Sequence, residues 1–254
     1  MSGRLSVVGI GPGGPDQLTG EARDAIAGAR QFFGYAPYLD RLELEAGQVR
    51  HGSDNHQELA RASAALDMAA EGHDVAMISG GDPGVFAMAA AVCEAIENGP
   101  PHWRALDVVV VPGITAMLAV AARVGAPLGH DFCALSLSDN LKPWTIIEKR
   151  LEACAGAGLV LALYNPVSKA RPWQLGRAFE ILRRVLAPET LVIFGRAAGR
   201  PEERIRIAPL READASLADM ATCVIIGSTE TRSIDRPGRP PLVYSPRSSP
   251  RPSK

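Results

Sequence analysis

The sequence predicts an α/β protein of two domains, and three observations carry that expectation. Short valine-rich runs at 5–10, 75–79 and 108–111 each end in a glycine-containing loop. Each loop is followed by a stretch with helical apolar spacing. After Gly125-Ala126-Pro127 the rhythm changes, and strand-like runs follow one another more closely. Continuous apolar strands are buried on both faces, as in a parallel sheet covered by helices. The expected architecture is an N-terminal α/β domain with a mainly parallel sheet over 1–125 and a C-terminal α/β domain with a mixed sheet over 126–245. A tail rich in proline, serine and arginine begins near Asp235, and its end, 246–254, is expected to be flexible.

In the first half, 16–30 has Leu18, Ala22, Ala25 and Ile26 on one side of a helix. A second helix lies within 53–72 and stops at Gly72. No clear strand is visible between these helices. A helix runs from the loop at Gly84 through Ala95, and an alanine-rich helix follows Pro112-Gly113. Gly125-Ala126-Pro127 breaks that helix and serves as a linker. In the second half, strands are expected at 133–137, 159–164, 191–194, 204–207 and 223–226, and helices at 144–155 and 172–186. The runs 191–194 and 204–207 are joined by a short turn and predict an antiparallel hairpin.

The composition narrows the function classes. A formal net charge of −1 argues against a nucleic-acid-binding surface. No apolar run approaches the roughly 18 residues of a membrane span, and no signal segment opens the chain, so a cytoplasmic location is expected. Cys93, Cys133, Cys154 and Cys223 are scattered, as small core thiols would be, with no C-x-x-C pair for a zinc site or a disulfide framework. No histidine pair has the H-x-x-x-H spacing of a helical metal site; His51 and His56 are five apart in a polar segment. No metal is expected.

Three loops carry the candidate chemistry. Gly9-Ile10-Gly11-Pro12-Gly13-Gly14 fits the G-x-G-x-x-G pattern between strand and helix. A nicotinamide-dependent oxidoreductase is the rival that this loop suggests. Pro12 removes an N–H from the phosphate cradle, and Asp16 puts a carboxylate where a phosphate would lie. Ser79-Gly80-Gly81-Asp82-Pro83-Gly84 leaves the second strand, with Asp82 placed either to cap the next helix or to meet a ligand. Val111-Pro112-Gly113-Ile114-Thr115-Ala116 repeats the design, with Thr115 able to cap or to bind and Ala116 leaving room.

Loops of the forms G-x-G-P-G, G-D-P and P-G-x-T-A, in this order and at these intervals, resemble the tetrapyrrole (corrin/porphyrin) methylase family. The resemblance continues through Leu163-Tyr164-Asn165-Pro166, Gly195-Arg196-Ala197 and Ile226-Gly227-Ser228, and so covers nearly the whole chain. It implies a homodimeric enzyme of two α/β domains with S-adenosylmethionine in the cleft between them, released as S-adenosylhomocysteine. The stretches 136–144, 164–171 and 243–247 resemble the branch that methylates C17 of a trimethylated precorrin and contracts the macrocycle. Another position on a corrin precursor, or a cobalt-containing intermediate, is the alternative. A non-catalytic tetrapyrrole- or nucleotide-binding module is a further rival, opposed by the completeness of the loops.

Carried over by position, the resemblance implies cofactor contacts at Pro12, Gly81, Asp82, Val85, Phe86, Thr115, Ala116, Asn165, Ala197 and Ile226. Ring contraction asks for proton movement and oxyanion stabilisation, for which Asp16, Asp139 and Asn140 are the candidates; Asp16 could equally cap a helix and 138–140 could be a plain turn. Lys142, Lys169, Arg171, Arg196 and Arg200 stand in loops and suit the carboxylates of a precorrin. Arg183-Arg184 are expected on a solvated helix face. Trp144 and Trp173 are expected to pack at a domain contact.

Overall fold

A computed structural model describes residues 3–54 and 57–248. The expectations for His56 and for tail residues 249–254 fall outside the described residues. Contacts divide the chain into two compact units after Thr115.

The first unit runs β1 (Arg4–Gly9), α1 (Gly20–Gly28), β2 (Gln31–Tyr35), α2 (Ala36–Leu39), β3 (Val49–Ser53), α3 (Glu58–Ala70), β4 (Val75–Ser79), α4 (Met88–Asn98) and β5 (Asp107–Val111). These strands form a sheet in the order β3-β2-β4-β1-β5, and every pairing is parallel. The order differs from the 3-2-1-4-5-6 arrangement of dinucleotide-binding sheets. Side chains alternate across the sheet. Leu5, Val7, Val75 and Met77 join α3 and α4 in one core, while Val8, Ala76 and Ile78 join Ala22 of α1 and Leu39 of α2 in another.

The helix expected over 16–30 is a short 3-10 turn, Pro15–Gln17, followed by α1; the Thr19 side chain accepts the Ala22 N–H and starts the true helix. The strands β2 and β3 were not legible. β2 is five residues long and interrupted by Gly34, where a Cβ would come within 3.2 Å of Ile78 O and the Leu39 side chain. β3, Val-Arg-His-Gly-Ser, lies at the sheet edge and lacks an apolar run. The stop at Gly72 has a direct cause: φ is +97° and its N–H bonds Ala69 O.

The second unit runs α5 (Ala116–Val124), β6 (Gly125–Ala126), β7 (Phe132–Ser136), α6 (Trp144–Gly156), β8 (Val160–Tyr164), α7 (Gln174–Val185), β9 (Leu191–Arg196), β10 (Arg204–Pro209), β11 (Thr222–Ile226), β12 (Arg232–Arg236) and β13 (Arg239–Tyr244). The main sheet, β10-β9-β11-β8-β7, is mixed: β7 and β8 are parallel, and the remaining pairings antiparallel. The hairpin expected at 191–207 is β9–β10. One face of the sheet packs on α6 and α7 through Leu151, Phe179 and Leu182. Against β9, Gly195 admits α5, because a Cβ there would stand 2.2 Å from Val120.

Gly125 and Ala126 are not a free linker. They form β6, which pairs in parallel with β13. Gly125 takes φ +131°, where a Cβ would lie 2.6 Å from Val243 O. The stretch after Asp235 is likewise structured, as β12 and β13, up to Tyr244. The alternating charged and proline residues hid these strands. The alanine-rich α5, expected in the first domain, falls in the second unit.

Candidate active site

Adjacent strands β4, β1 and β5 end side by side and release the three glycine loops. The chain leaves β1 toward β4 and β2, then returns from β4 across β1 to β5. Such reversals mark ligand sites at the carboxyl ends of parallel strands. The loops lock together through backbone. Gly11 N–H donates to Gly81 O at 3.1 Å and Gly81 N–H to Gly11 O at 3.0 Å. Both glycines have positive φ, +66° and +71°. Gly113 is closer still, since a Cβ there would lie 2.2 Å from Gly81 O.

The Asp82 carboxylate ties two loops. One oxygen accepts the Gly84 N–H at 2.8 Å and the other the Gly113 N–H at 3.1 Å. Asp82 therefore does not cap α4, which starts at Met88 after Ala87 with no side-chain cap. On the first loop, Arg41 Nη2 donates to Gly11 O at 3.0 Å and also to Gly13 O. Pro12 and Thr115 are buried, while Gly81, Asp82, Val85 and Ala116 are half-buried.

Among the described residues, the non-glycine positions with positive φ are Phe86 (+53°), Asn165 (+52°) and Ala197 (+50°). A left-handed conformation costs an ordinary residue about 1–2 kcal/mol, and such positions cluster at ligand sites. All three are among the cofactor contacts that the resemblance implies. Phe86 adds a second cost, being 50% exposed.

In the second unit, β7, β8 and β9 run the same way, so Ser136, Asn165 and Ala197 share one end of the sheet. Asn165 Nδ2 donates to Ser136 Oγ at 2.9 Å. The Tyr164 hydroxyl accepts the Met117 N–H at 3.0 Å in the first turn of α5. Ile226 does not join this group. β11 is antiparallel to β8 and β9, and Ile226 pairs with Leu161 and Val192 at their starts. It is fully buried in the core, about 13 Å along the strand from the level of Thr222 and Arg196 at the strand rise of roughly 3.3 Å per residue.

The acid and base candidates separate. Asp16 is exposed on the 3-10 turn and makes no capping bond. Asp139 is half-buried: Gln174 Nε2 donates to its Oδ1 at 2.8 Å, and Arg171 Nε lies 3.5 Å from the same oxygen. Gln174, at the start of α7, is itself buried. Asn140 is exposed next to it. Lys142 is held below the ordinary lysine value by burial first and by the nearby charge of Arg150 second, against the pull of Asp139.

The other cations differ in what they touch. Arg196 donates to Asp219 Oδ2 at 2.8 Å and is a structural pair. Burial works to raise Asp219, but the bonds from Arg196 and Thr222 outweigh it and hold the carboxyl below its ordinary value. Lys169 is exposed, Arg200 half-buried. Arg184 pairs with Glu152, whereas Arg183 ties α7 to the 3-10 turn after β10 by donating to Leu210 O and Ala213 O. Trp144 and Trp173 pack on each other, edge to face at 4.7 Å. His51 stacks on Phe33 and bonds Gln31. Of the cysteines expected in the core, Cys93 is exposed. Arg41 and Gln174 were missed by the sequence; neither stands in a motif, and only the folded chain brings them to their partners.

Among the described residues no His/Cys/Asp/Glu group has the makings of a metal site, and no helix is long and apolar enough to cross a membrane. The loops fit a compact polar cofactor held by backbone: at Gly81 an added Cβ would make only ordinary contacts, 3.9 Å from Ile114 O and from Thr115 Cα, so its positive φ and not crowding calls for glycine.

Comparison with known proteins agrees with this geometry. The family described as Tetrapyrrole (Corrin/Porphyrin) Methylases matches residues 4–214. A Sinorhizobium protein named precorrin-3B C(17)-methyltransferase is 66% identical over 247 residues, covering 97% of each chain. A Salmonella typhimurium protein named probable cobalt-factor III C(17)-methyltransferase is 39% identical, covering 89% of this chain and 93% of its own. The crystal structure of the methyltransferase CobJ superposes with a TM-score of 0.92 at 48% identity, covering 96% of this chain and all of that one. Matched over most of its length by the family, and by relatives this similar along nearly all of theirs, the chain belongs to the tetrapyrrole (corrin/porphyrin) methylases.

Proposed function

We propose that this protein transfers a methyl group from S-adenosylmethionine to C17 of precorrin-3B, with ring contraction to precorrin-4, in cobalamin biosynthesis. The 66% identity to a precorrin-3B C(17)-methyltransferase over nearly both full lengths supports the substrate. The structural observation that carries the cofactor role is the interlocked set of glycine loops at β4, β1 and β5, with strained Phe86 at its edge. Gly81, Asp82, Val85, Phe86, Thr115, Ala116, Asn165 and Ala197 are the proposed cofactor contacts. A homodimer in the cytoplasm is the proposed form.

S-adenosylmethionine, when bound, supplies a methyl already activated on sulfonium, so no covalent nucleophile is asked of the protein. The chain's own residues orient, exclude water and move protons. Rigid loops of this kind hold reacting groups at near-contact distances, about 3–3.5 Å. Asp139, fixed by Gln174 and Arg171, is a carboxylate in one orientation and suits proton transfer during ring contraction. Lys142, Arg171 and Lys169 are the proposed partners of the substrate's carboxylates, and a carboxylate at Lys142 would offset the burial of its ammonium.

Calorimetric titration with S-adenosylhomocysteine and with NAD, followed by turnover assays, tests the reading. Binding of the first alone, with methylation of precorrin-3B, is the expected result; binding of NAD alone overturns it. A second reading, methylation of the cobalt-containing counterpart, draws on the 39% identical cobalt-factor III relative. Faster turnover of the cobalt substrate would favour it.

A further inference from the structure

We propose that Arg41 is a positioning residue for the cofactor: its guanidinium sets the shape of the first glycine loop and so determines cofactor affinity. The inference rests on the proposed use of these loops for S-adenosylmethionine. Arg41 comes just after α2, 30 residues beyond Gly11 and 28 beyond Gly13, and one nitrogen, Nη2, reaches both Gly11 O and Gly13 O. The two carbonyls flank buried Pro12, the cofactor contact that the resemblance implies on this loop. Held by one donor, they are forced to the same side, and the peptide between them is fixed in orientation.

Gly11 O has a second partner, the Gly81 N–H at 3.0 Å. The cation thus sits at one end of a connected series. Arg41 holds the first loop, the Gly11–Gly81 bridge joins the first to the second, and Asp82 joins the second to the third at Gly113. A glycine-rich loop has more backbone freedom to lose than any other, and a ligand that must order it loses affinity to that ordering. A charge-assisted clamp removes this cost before the ligand arrives. Arg41 donates to carbonyls and touches no reacting atom in this role, so its effect belongs on cofactor binding and not on the chemical step.

The test compares Arg41→Met and Arg41→Lys with the unaltered protein. Calorimetry with S-adenosylhomocysteine is combined with steady-state kinetics in both substrates. Arg41→Met is expected to raise the Kd for S-adenosylhomocysteine and the KM for S-adenosylmethionine by roughly tenfold or more, the usual scale for bonds to a charged group. kcat at saturating cofactor and the KM for the tetrapyrrole are expected to stay within about twofold, and Arg41→Lys, which keeps the charge and a donor, to recover part of the affinity. Unchanged cofactor affinity in Arg41→Met, or a fall in kcat with affinity intact, overturns the proposal. If Arg41→Met does not fold, Arg41→Lys decides alone: a raised cofactor Kd with unchanged kcat supports the clamp, and an unchanged Kd overturns it. Failure of the unaltered protein to bind S-adenosylhomocysteine would count against the cofactor assignment; binding that ignores Arg41 counts against this inference alone.

Discussion

The carboxylate of Asp82 accepts the backbone N–H of Gly113 at 3.1 Å, joining two loops that lie 31 residues apart in sequence. A second bond, from Gly84 N–H to the other oxygen, holds the carboxylate in place. Asp82 thus acts on the site through its neighbours' backbone as well as through any direct contact. Replacing it with alanine removes both acceptors, each worth about 1.5–3 kcal/mol as a charged partner. Asp82→Ala is expected to weaken S-adenosylhomocysteine binding by at least about tenfold, and Asp82→Asn, which keeps one acceptor oxygen, by less. Calorimetry on the two variants checks the ranking; equal affinities would remove the two-loop role.

Gly113 is the tightest point of the same assembly. A methyl group there would lie 2.2 Å from Gly81 O and 2.9 Å from Gly9 O, both backbone atoms that cannot swing aside. Gly113→Ala is expected to lower the unfolding free energy by more than about 2 kcal/mol, on the scale of severe overpacking, and to abolish cofactor binding. Gly20→Ala is the control, because nothing lies within 4 Å of the added carbon. Denaturant unfolding of both variants measures the contrast.

At Ala197 the expected sign is reversed. The residue is buried at the end of β9 with φ +50°. Glycine there would relieve left-handed strain of about 1–2 kcal/mol and lose part of that gain, roughly 0.4–1 kcal/mol, to greater freedom in the unfolded chain. Ala197→Gly is expected to be neutral or slightly stabilising. A glycine at helical Ala178, fully buried in α7, is expected to cost about 1 kcal/mol or more. Thermal unfolding of the pair reads both.

Two thiols give a pH dependence. Complete burial pushes Cys223 up to about 12, and burial followed by the bond with Cys154 pushes Cys133 up to about 12, from the ordinary 9.0. Above pH 9 the unfolded chain releases these protons while the folded chain keeps them. The unfolded state then binds fewer protons, and stability falls as pH rises from about 9 toward 12. Cys223→Ala and Cys133→Ala should each flatten that decline. With a thiol-alkylating reagent on the folded protein, exposed Cys93 is expected to be labelled first; prior labelling of Cys223 would contradict its burial.

Legibility in the sequence followed physical lines. Strands such as Val75–Ser79, with every residue buried, announce themselves as apolar runs. β3 at the sheet edge and the arginine-bearing β12 carry no such run because solvent meets them. The glycine loops were visible as motifs, since close backbone approach leaves no other residue type available. The partner of a loop is a different matter. Asp82 could be read as a cap or as a ligand contact, and only folding shows its oxygens on Gly84 and Gly113. Arg41 and Gln174 act at long range and leave no local trace. Ile226 is a further case: its motif gives no strand direction, and the antiparallel course of β11 puts it at the far end from Asn165.

The pairing of β6 with β13 bears on how the protein is made. Gly125 and Ala126 are synthesised early but find their partners only in Val243 and Tyr244, and Ser245 Oγ then bonds Pro127 O across 118 residues of chain. At about 5–20 residues per second the ribosome needs on the order of ten seconds to cover that interval. Until then β6 lacks the strand that it pairs with, since β13 is the middle strand of the small sheet. The first unit has all its strands once Val111 has emerged, so its folding is free to run ahead of translation of the rest. The nascent chain therefore meets its greatest exposure to chaperones and proteases in the second unit, and a stall or premature stop before residue 243 leaves that unit without its closing strand.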